Sequence, residues 1–542
     1  MPKILINEID NTSSGTPGRY GNYAVLIAGY TGTPTAEESK RQKPDENGVY
    51  EFSSAQAFKD TIGVRSDVAR RNAAGEAVEY HYGNQMAYEL LNLGYDVIYK
   101  TIDNVAEMAD EKFWAIFKDK ASYDFRFVSH GLLETCYDAA KHSEYYNRLN
   151  VINEALAKLA NIEAKAAADV NEDSDIVYLE QCQAYFADEI EEYNGFVDNA
   201  GKAYTSYILA AGIDATDATG ATSTGKGLPN DKVEIETRIN EHNAKHFTID
   251  VFNQINGNIA RLASYRVDAE TGEVFNDGRG DCVALIELDE DTYCETGSDK
   301  RPEELIIDGI NKLSMDIGEE GNYCALTVPS IYYADGTKMP GAFHYLACFM
   351  SSLSSGFAEW YAAAGYTRGV SSWAVDHTSV KLGEIAINAL EPRYKVDDPQ
   401  KVQPQFACNV IANFRGSYYL WGNRTAAKLG AGEANDLTAK HFLNIRQLCS
   451  TIKKQTYVAC RRFTFDPNSD TLWINFVNAI APTLDAMKAD QGIRDYRIVK
   501  AITDKKATLK ARVRIIPIEA VEDFDITVSL EDSFGGVSVT AD

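Results

Sequence analysis

The feature that most constrains this chain is a rhythm that starts, stops and starts again. Residues 23–28 (YAVLIA), closed by Gly29, form a short apolar run fit for a buried strand. Helical spacing over 84–92 ends at Gly94; strand-prone runs at 95–99 and 123–129 follow, with a helical stretch at 108–118 between them. Strands alternating with helices build α/β units. The rhythm stops near residue 134 and resumes at 282–288, with a helix over 302–315 and a strand over 322–329. The helix at 341–354 is apolar nearly all round, so its burial is expected. In the interval, 144–167 reads as a long helix with Leu149, Ile152, Leu156 and Leu159 on one face. A second helix spans 178–193, and 212–230 is polar and rich in Gly and Thr. Residues 135–275 therefore read as a largely helical, exposed insertion into an α/β middle domain built from 23–134 and 276–430.

The C-terminal part has a different pattern. An amphipathic helix is predicted over 437–454, striped by Phe442, Ile445, Leu448 and Ile452. A second helix follows, capped by Asp470, striped by Leu472, Phe476, Ile480, Leu484 and Met487, and stopped by Gly492; Pro482 inside it predicts a kink. Alternation then marks two strands, one through Leu509, Ala511, Val513 and Ile515, the other through Phe524, Ile526, Val528 and Leu530. This gives an α+β domain over 431–530. Residues 1–22 and 531–542 read as extended terminal arms, since the Ser/Gly/Thr/Pro run at 12–18 cannot join a core element.

Charge divides along the same line. The chain carries 53 Lys/Arg against 80 Asp/Glu, a net of −27, which argues against coating a polyanion with the whole surface. Yet 437–517 holds 15 Lys/Arg and 6 Asp/Glu, and 437–465 holds Lys440, Arg446, Lys453, Lys454, Arg461 and Arg462 with no acid at all. A basic face on an acidic protein predicts a localised acidic partner rather than direct nucleic-acid binding; the plainer reading is a solvated face. Nine dispersed cysteines without a C-x-x-C pair point to buried thiols in a reducing compartment rather than to a disulfide framework. No run approaches the 18 apolar residues of a membrane span, and residues 1–4 lack a signal-peptide core, so neither membrane insertion nor routine secretion is expected.

Motifs for catalysis and metal binding are weak. The run from Gly220 to Gly227 approaches a phosphate loop, but Gly227 stands where a metal-binding hydroxyl is needed. His242 and His246 have helical spacing without the glutamate a zinc hydrolase uses as base. Arg279-Gly280-Asp281 reads as a turn. Asp169, Asn171, Asp173 and Glu180 fall at calcium-loop positions, but Ser174 replaces the glycine of the sharp turn, which favours an acidic connector. No catalytic residue, cofactor or metal is called for, and the chain reads as a non-enzyme.

The C-terminal block carries a resemblance. His441-Phe442-Leu443-Asn444-Ile445-Arg446, then Phe465-Asp466-Pro467-Asn468 with Leu472-Trp473, then Gly492, then Ile515-Ile516-Pro517-Ile518 leading into 524–530, resembles the domain shared by contractile phage tail sheath proteins. Gly432-Glu433-Ala434-Asn435-Asp436, the small-residue helix around 340–356 and the strand region 23–30 look like the same family. The resemblance is good over 431–530, partial over 23–134 and 276–430, and absent from 135–275. It implies a homo-oligomeric helical sheath that surrounds a tail tube, meets baseplate and terminator proteins, assembles in the bacterial cytoplasm and belongs to the virion. Contraction would drive the tube through the host envelope. It also implies terminal arms that add strands to neighbouring copies, through Ile4, Leu5, Ile6, Val537 and Val539. The six cations from Lys440 to Arg462 become candidate contacts to the inner tube. Other readings are the sheath of a related contractile injection system or tail-like bacteriocin, a cytoplasmic α/β enzyme whose 135–275 segment is a lid, and an oligonucleotide-binding module.

Overall fold

The computed structural model describes residues 23–135, 249–288, 300–377, 404–428 and 438–518, apart from a few short internal stretches, and isolated positions elsewhere. Nine strands form the central sheet: β1 (Val25–Gly29), β2 (Val49–Phe52), β3 (Val97–Thr101), β4 (Phe127–Ser129), β5 (Val283–Ile286), β6 (Cys324–Val328), β7 (Val370–Ser371), β8 (Asn409–Phe414) and β9 (Ser417–Trp421). Their order is β7-β9-β8-β6-β5-β4-β1-β3-β2. The six strands from β8 to β3 are parallel, and antiparallel β2 and the β9–β7 pair finish the two ends. The α/β middle of the chain is therefore one mixed sheet, and β5 from beyond the interval lies directly beside β4 from before it.

Burial on both faces explains why β1 is a continuous apolar run rather than an alternating one. Ala24, Leu26 and Ala28 face one core with Phe252, Ile255 and Ile259 of α3 (Ile249–Ala263) and Ile306 and Ile310 of α4 (Pro302–Lys312). Val25 and Ile27 face the other, with Phe58 of α1 (Ala55–Thr61), Met86 and Leu90 of α2 (Gly83–Asn92), and Leu346 and Met350 of α5 (Gly341–Ser354). Each of the Val, Leu, Ile, Phe and Met side chains among them contributes about 1.5–3 kcal/mol by leaving water. All of α5 except Ser351 and Ser354 is buried, as its all-round apolar surface predicts.

Several expectations change. The insertion does not reach residue 275 as a separate exposed body: α3 packs into the sheet's own core, because Phe252, Ile255, Ile259 and Leu262 line one face of the helix. The stretch 108–118 is not one helix but short turns at Ala106–Ala109, Glu111–Ala115 and Ile116–Lys118, since Asp110 leaves the helix and caps the next turn by accepting from Lys112 N. Cys282, Cys324, Cys348 and Cys408 are buried thiols, whereas Cys460 is exposed. The arms, the helices expected at 144–167 and 178–193, the calcium-like stretch 169–180, and His242 and His246 lie outside the described residues. So do Ile4, Leu5, Ile6, Val537 and Val539. From the Gly/Thr-rich stretch, Thr222–Ser223 pairs with Ala215–Thr216. No helix among the described residues is long and apolar enough to cross a membrane.

The C-terminal part consists of α6 (Leu443–Arg462), α7 (Asp470–Ala489) and a ribbon of β10 (Ile493–Ala501) with β11 (Lys510–Pro517). The side chain of Ser469, not Asp470, caps α7 by accepting from Leu472 N, and the assigned helix continues through Pro482. Leu448 and Ile452 of α6 pack with Phe476, Ile480, Leu484 and Met487 of α7. The strand beside β11 is β10, which sequence reading missed; the alternation at 524–530 falls outside the described residues.

Candidate functional site

Helix α6 contains no acid and turns one face onto the sheet; that buried face is polar as well as apolar. Leu443 joins the core on one side of the sheet, while Asn444, Gln447, Ser450, Thr451 and Lys454 are buried beside it. A buried polar group costs free energy unless it is paired, so each needs a partner. Asn444 exchanges bonds with Asn423 (2.7 and 3.0 Å) and donates to Trp360 O at 3.0 Å. Trp360 Nε1 donates to Asp490 O at 2.9 Å, and a Cβ added at Gly492 would stand 3.0 Å from the Trp360 ring, so glycine there admits the indole.

The centre of this seam is Arg126, wholly buried in front of β4. Its Nε donates to Gln447 Oε1 at 2.7 Å, and its Nη2 donates to Gln447 O at 2.9 Å and to Thr451 Oγ1 at 2.8 Å. Nη1 stands 3.7 Å from Glu359 Oε1, and the guanidinium lies over the rings of Tyr23 (5.5 Å) and Phe349 (5.9 Å). Glu359 in turn accepts from Thr451 Oγ1 at 2.9 Å and from the Tyr23 hydroxyl at 3.3 Å. Burial pushes the Glu359 carboxyl up, against the opposing pull of Arg126. A planar guanidinium suits this place because its fork reaches side chain, backbone and carboxylate at once.

A second ionic group lies farther along α6. Arg279 Nε donates to Asp281 Oδ1 at 3.1 Å, its Nη1 donates to Phe117 O (3.0 Å) and Tyr123 O (2.7 Å), and it lies 4.2 Å from the Phe125 ring centroid. Between them Gly280 has φ of +70°, and a Cβ there would meet Tyr265 Cβ at 2.7 Å, so the turn requires glycine. The Arg-Gly-Asp turn is thus an inward-facing ion pair. Burial would raise the Asp281 carboxyl, but Arg279, Lys454 and Lys120 together hold it below its ordinary range.

The six candidate tube contacts do not form one open face. Lys454 is buried, pairs with the Asp124 carboxylate and donates to Phe125 O at 3.0 Å; it is withdrawn as a contact, because the α/β part of its own chain supplies the anion. Lys453 donates to Gly280 O at 2.7 Å and to the Tyr323 hydroxyl at 3.2 Å, and Arg446 lies 4.1 Å from the Tyr323 ring centroid. Arg461 is half-buried, whereas Lys440 and Arg462 are exposed. Sequence reasoning missed Arg126, Glu359, Asp124 and Asp281. The available signal was the acid-free helix itself, whose counter-charges had to come from another segment or another molecule.

The ribbon presents the opposite situation. Tyr496, Ile498, Ala511, Val513 and Ile515 turn toward α7 and are half-buried. On the outer face Arg497 stands directly opposite Arg514, with Arg512 opposite Val499 and Lys510 opposite Ala501. All four cations are exposed, and Ile516 on that face is 53% exposed. Among the described residues the ribbon is a two-stranded sheet.

No family model and no curated protein sequence matches the chain. Among solved structures it is similar to a chain of the anti-feeding prophage baseplate solved by cryo-EM, at 12% identity and a TM-score of 0.48, covering 98% of this chain and 99% of that one. It is also similar to the sheath complex of the extracellular contractile injection system PVC in its contracted state, at 10% identity, a TM-score of 0.44 and 98% coverage of both chains. A sheath tail protein from Desulfitobacterium hafniense shares 7% identity with a TM-score of 0.36, over 93% of this chain and 99% of that one. The solved structures similar to this chain thus include sheath proteins of contractile injection systems and tail sheath proteins.

Proposed function

We propose that this chain is a structural subunit of a contractile sheath, polymerising helically around an inner tube and contracting to drive that tube through a cell envelope. The order of C-terminal motifs from His441 to Ile518 supports the reading, and so does the form of the part they build. The observation that carries it is the β10–β11 ribbon, a two-stranded sheet among the described residues, whose apolar face is only half-buried. Among the described residues no third strand lies beside that ribbon, and a sheet edge accepts a further strand through its main-chain hydrogen-bonding groups. Arms at 1–22 and 531–542 of adjacent copies supply such strands through Ile4, Leu5, Ile6, Val537 and Val539, linking subunits while each stays folded.

In this reading the middle domain (23–134 with 276–430, together with α3) carries the part of the 135–275 segment that precedes α3 outward, and the 431–530 domain faces the tube. Lys440, Arg446, Lys453, Arg461 and Arg462 contact an acidic tube surface. Exposed ion pairs contribute about 0–1 kcal/mol each and weaken with salt, which suits a contact that breaks on contraction. Baseplate and terminator proteins close the two ends, and the particle is a phage virion assembled in the host cytoplasm. Electron microscopy of the purified full-length protein tests the reading: long striated tubes are expected, and tubes should vanish when 1–22 and 531–542 are both removed. Compact particles from the intact chain, or tubes that survive the double truncation, would overturn it.

A further inference from the structure

Phe465, in the turn between α6 and α7, is unfavourable on two counts. Its φ of +72° is a conformation that bulky side chains rarely adopt, and the residue is 85% exposed. Left-handed backbone and a large apolar ring in water both cost free energy, and strain of this kind gathers at binding and switching sites. Asp466 follows it, exposed and without a salt bridge among the described residues. A cleft of complementary character opens on the flank of the same helix pair. Val458 and Ala459 of α6 and Ala479 and Ile480 of α7 line it, together with Thr483 and Arg462. Val458 is 36% exposed there, and 471–484 of α7 carries no charged residue. Arg462 is exposed and, like Asp466, makes no salt bridge among the described residues. An apolar ring with a carboxylate beside it suits such a cleft, because the ring leaves water while the acid meets the guanidinium. Phe465 and Asp466 are such a pair, yet within its own chain the ring stays in solvent.

We infer that Phe465 of one copy enters the cleft between α6 and α7 of a second copy, where its Asp466 pairs with that copy's Arg462. Knob and cleft are different patches of one surface, so the contact is heterologous. Each added copy leaves one knob and one cleft free, and the assembly grows as a ring or an open helix rather than closing as a dimer. The inference deepens the sheath reading, on whose polymer it rests, by naming a contact other than the arms. It moves Arg462 from the tube to the contact between copies and leaves Lys440, Arg446, Lys453 and Arg461 to the tube.

Light scattering of the full-length chain over a concentration series gives the midpoint of self-association. Phe465→Asn suits left-handed backbone, so the urea midpoint should stay the same or rise, while association moves to at least about tenfold higher concentration. Val458→Glu sets an acid on the cleft wall against the incoming Asp466 and should weaken association in the same way. Mixed in equal amounts, the two variants keep one working pairing, the intact knob of one with the intact cleft of the other. The mixture should therefore associate more strongly than either variant alone at the same total concentration. Association unchanged by Phe465→Asn, or a mixture no better than its components, would overturn the inference and leave the sheath reading standing. A lowered urea midpoint for Phe465→Asn would overturn it too, by showing that the ring already packs within its own chain. A natural chain that stays monomeric at every concentration would overturn both readings.

Discussion

Two groups of cations flank α6 and α7, and they answer the same electrostatic problem in opposite ways. Beneath α6, Arg126, Arg279 and Lys454 are enclosed, and Glu359, Asp281 and Asp124 of the α/β part stand within reach of them. On the ribbon, Arg497, Lys510, Arg512 and Arg514 point outward and two of them face each other. Enclosure makes a charge structural, because an unpaired ion cannot be tolerated out of water; exposure leaves it free for a partner that is not yet in contact. The basic helix that reads as one binding face in the sequence is therefore divided. Its one buried cation, Lys454, fastens the C-terminal part to the α/β part, and the surface available to partners lies on its remaining cations and on the ribbon.

Breaking the seam should have the largest effect. Glu359→Ala leaves Arg126 buried without its carboxylate and should cost about 3–5 kcal/mol in urea unfolding, most of it recovered when Arg126→Met and Glu359→Leu are combined. A loss under about 1 kcal/mol from the single change would remove the distinction drawn between the two groups. Next comes acid sensitivity. Asp281 is held below its ordinary value of 3.8, so the unfolded chain takes up the proton first as pH falls. Its contribution is complete above 3.8 and disappears as pH drops through the lower folded-state value. Asp281→Asn should cost about 1.5–3 kcal/mol at neutral pH and flatten the fall of the urea midpoint below pH 4; an unaltered acid limb would show that the pair with Arg279 does not couple to folding. The smallest effect belongs to the ribbon. Arg514→Gln relieves the opposition to Arg497 and should leave stability unchanged or raised by about 0.2–1 kcal/mol, whereas a clear loss would mean that Arg514 already has an anionic partner.

Much of the scaffold was legible because its signals are local. The apolar run at 23–28, Gly94 after α2, and the stripes of α6 and α7 depend on residues a few positions apart, and the corresponding elements form there. Strand β10 was missed because Arg494, Asp495, Arg497 and Lys500 break its alternation into a polar sequence, although Tyr496 and Ile498 still turn toward the helix. Helix α3 was assigned to the wrong body because its stripe shows that it packs, not against what.

The candidate site was legible only in half. That an acid-free helix needs anions from elsewhere follows from composition, but Arg126 and Gln447 are 321 positions apart and no spacing rule connects them. Periodicity alone determined which segments are strands and helices and which side of each is apolar, since that follows from the repeat of the backbone. Tertiary structure alone decided which charges face inward: desolvation and pairing act through space, and only the folded arrangement of β4, the 279–281 turn and α6 brings the opposite charges within reach.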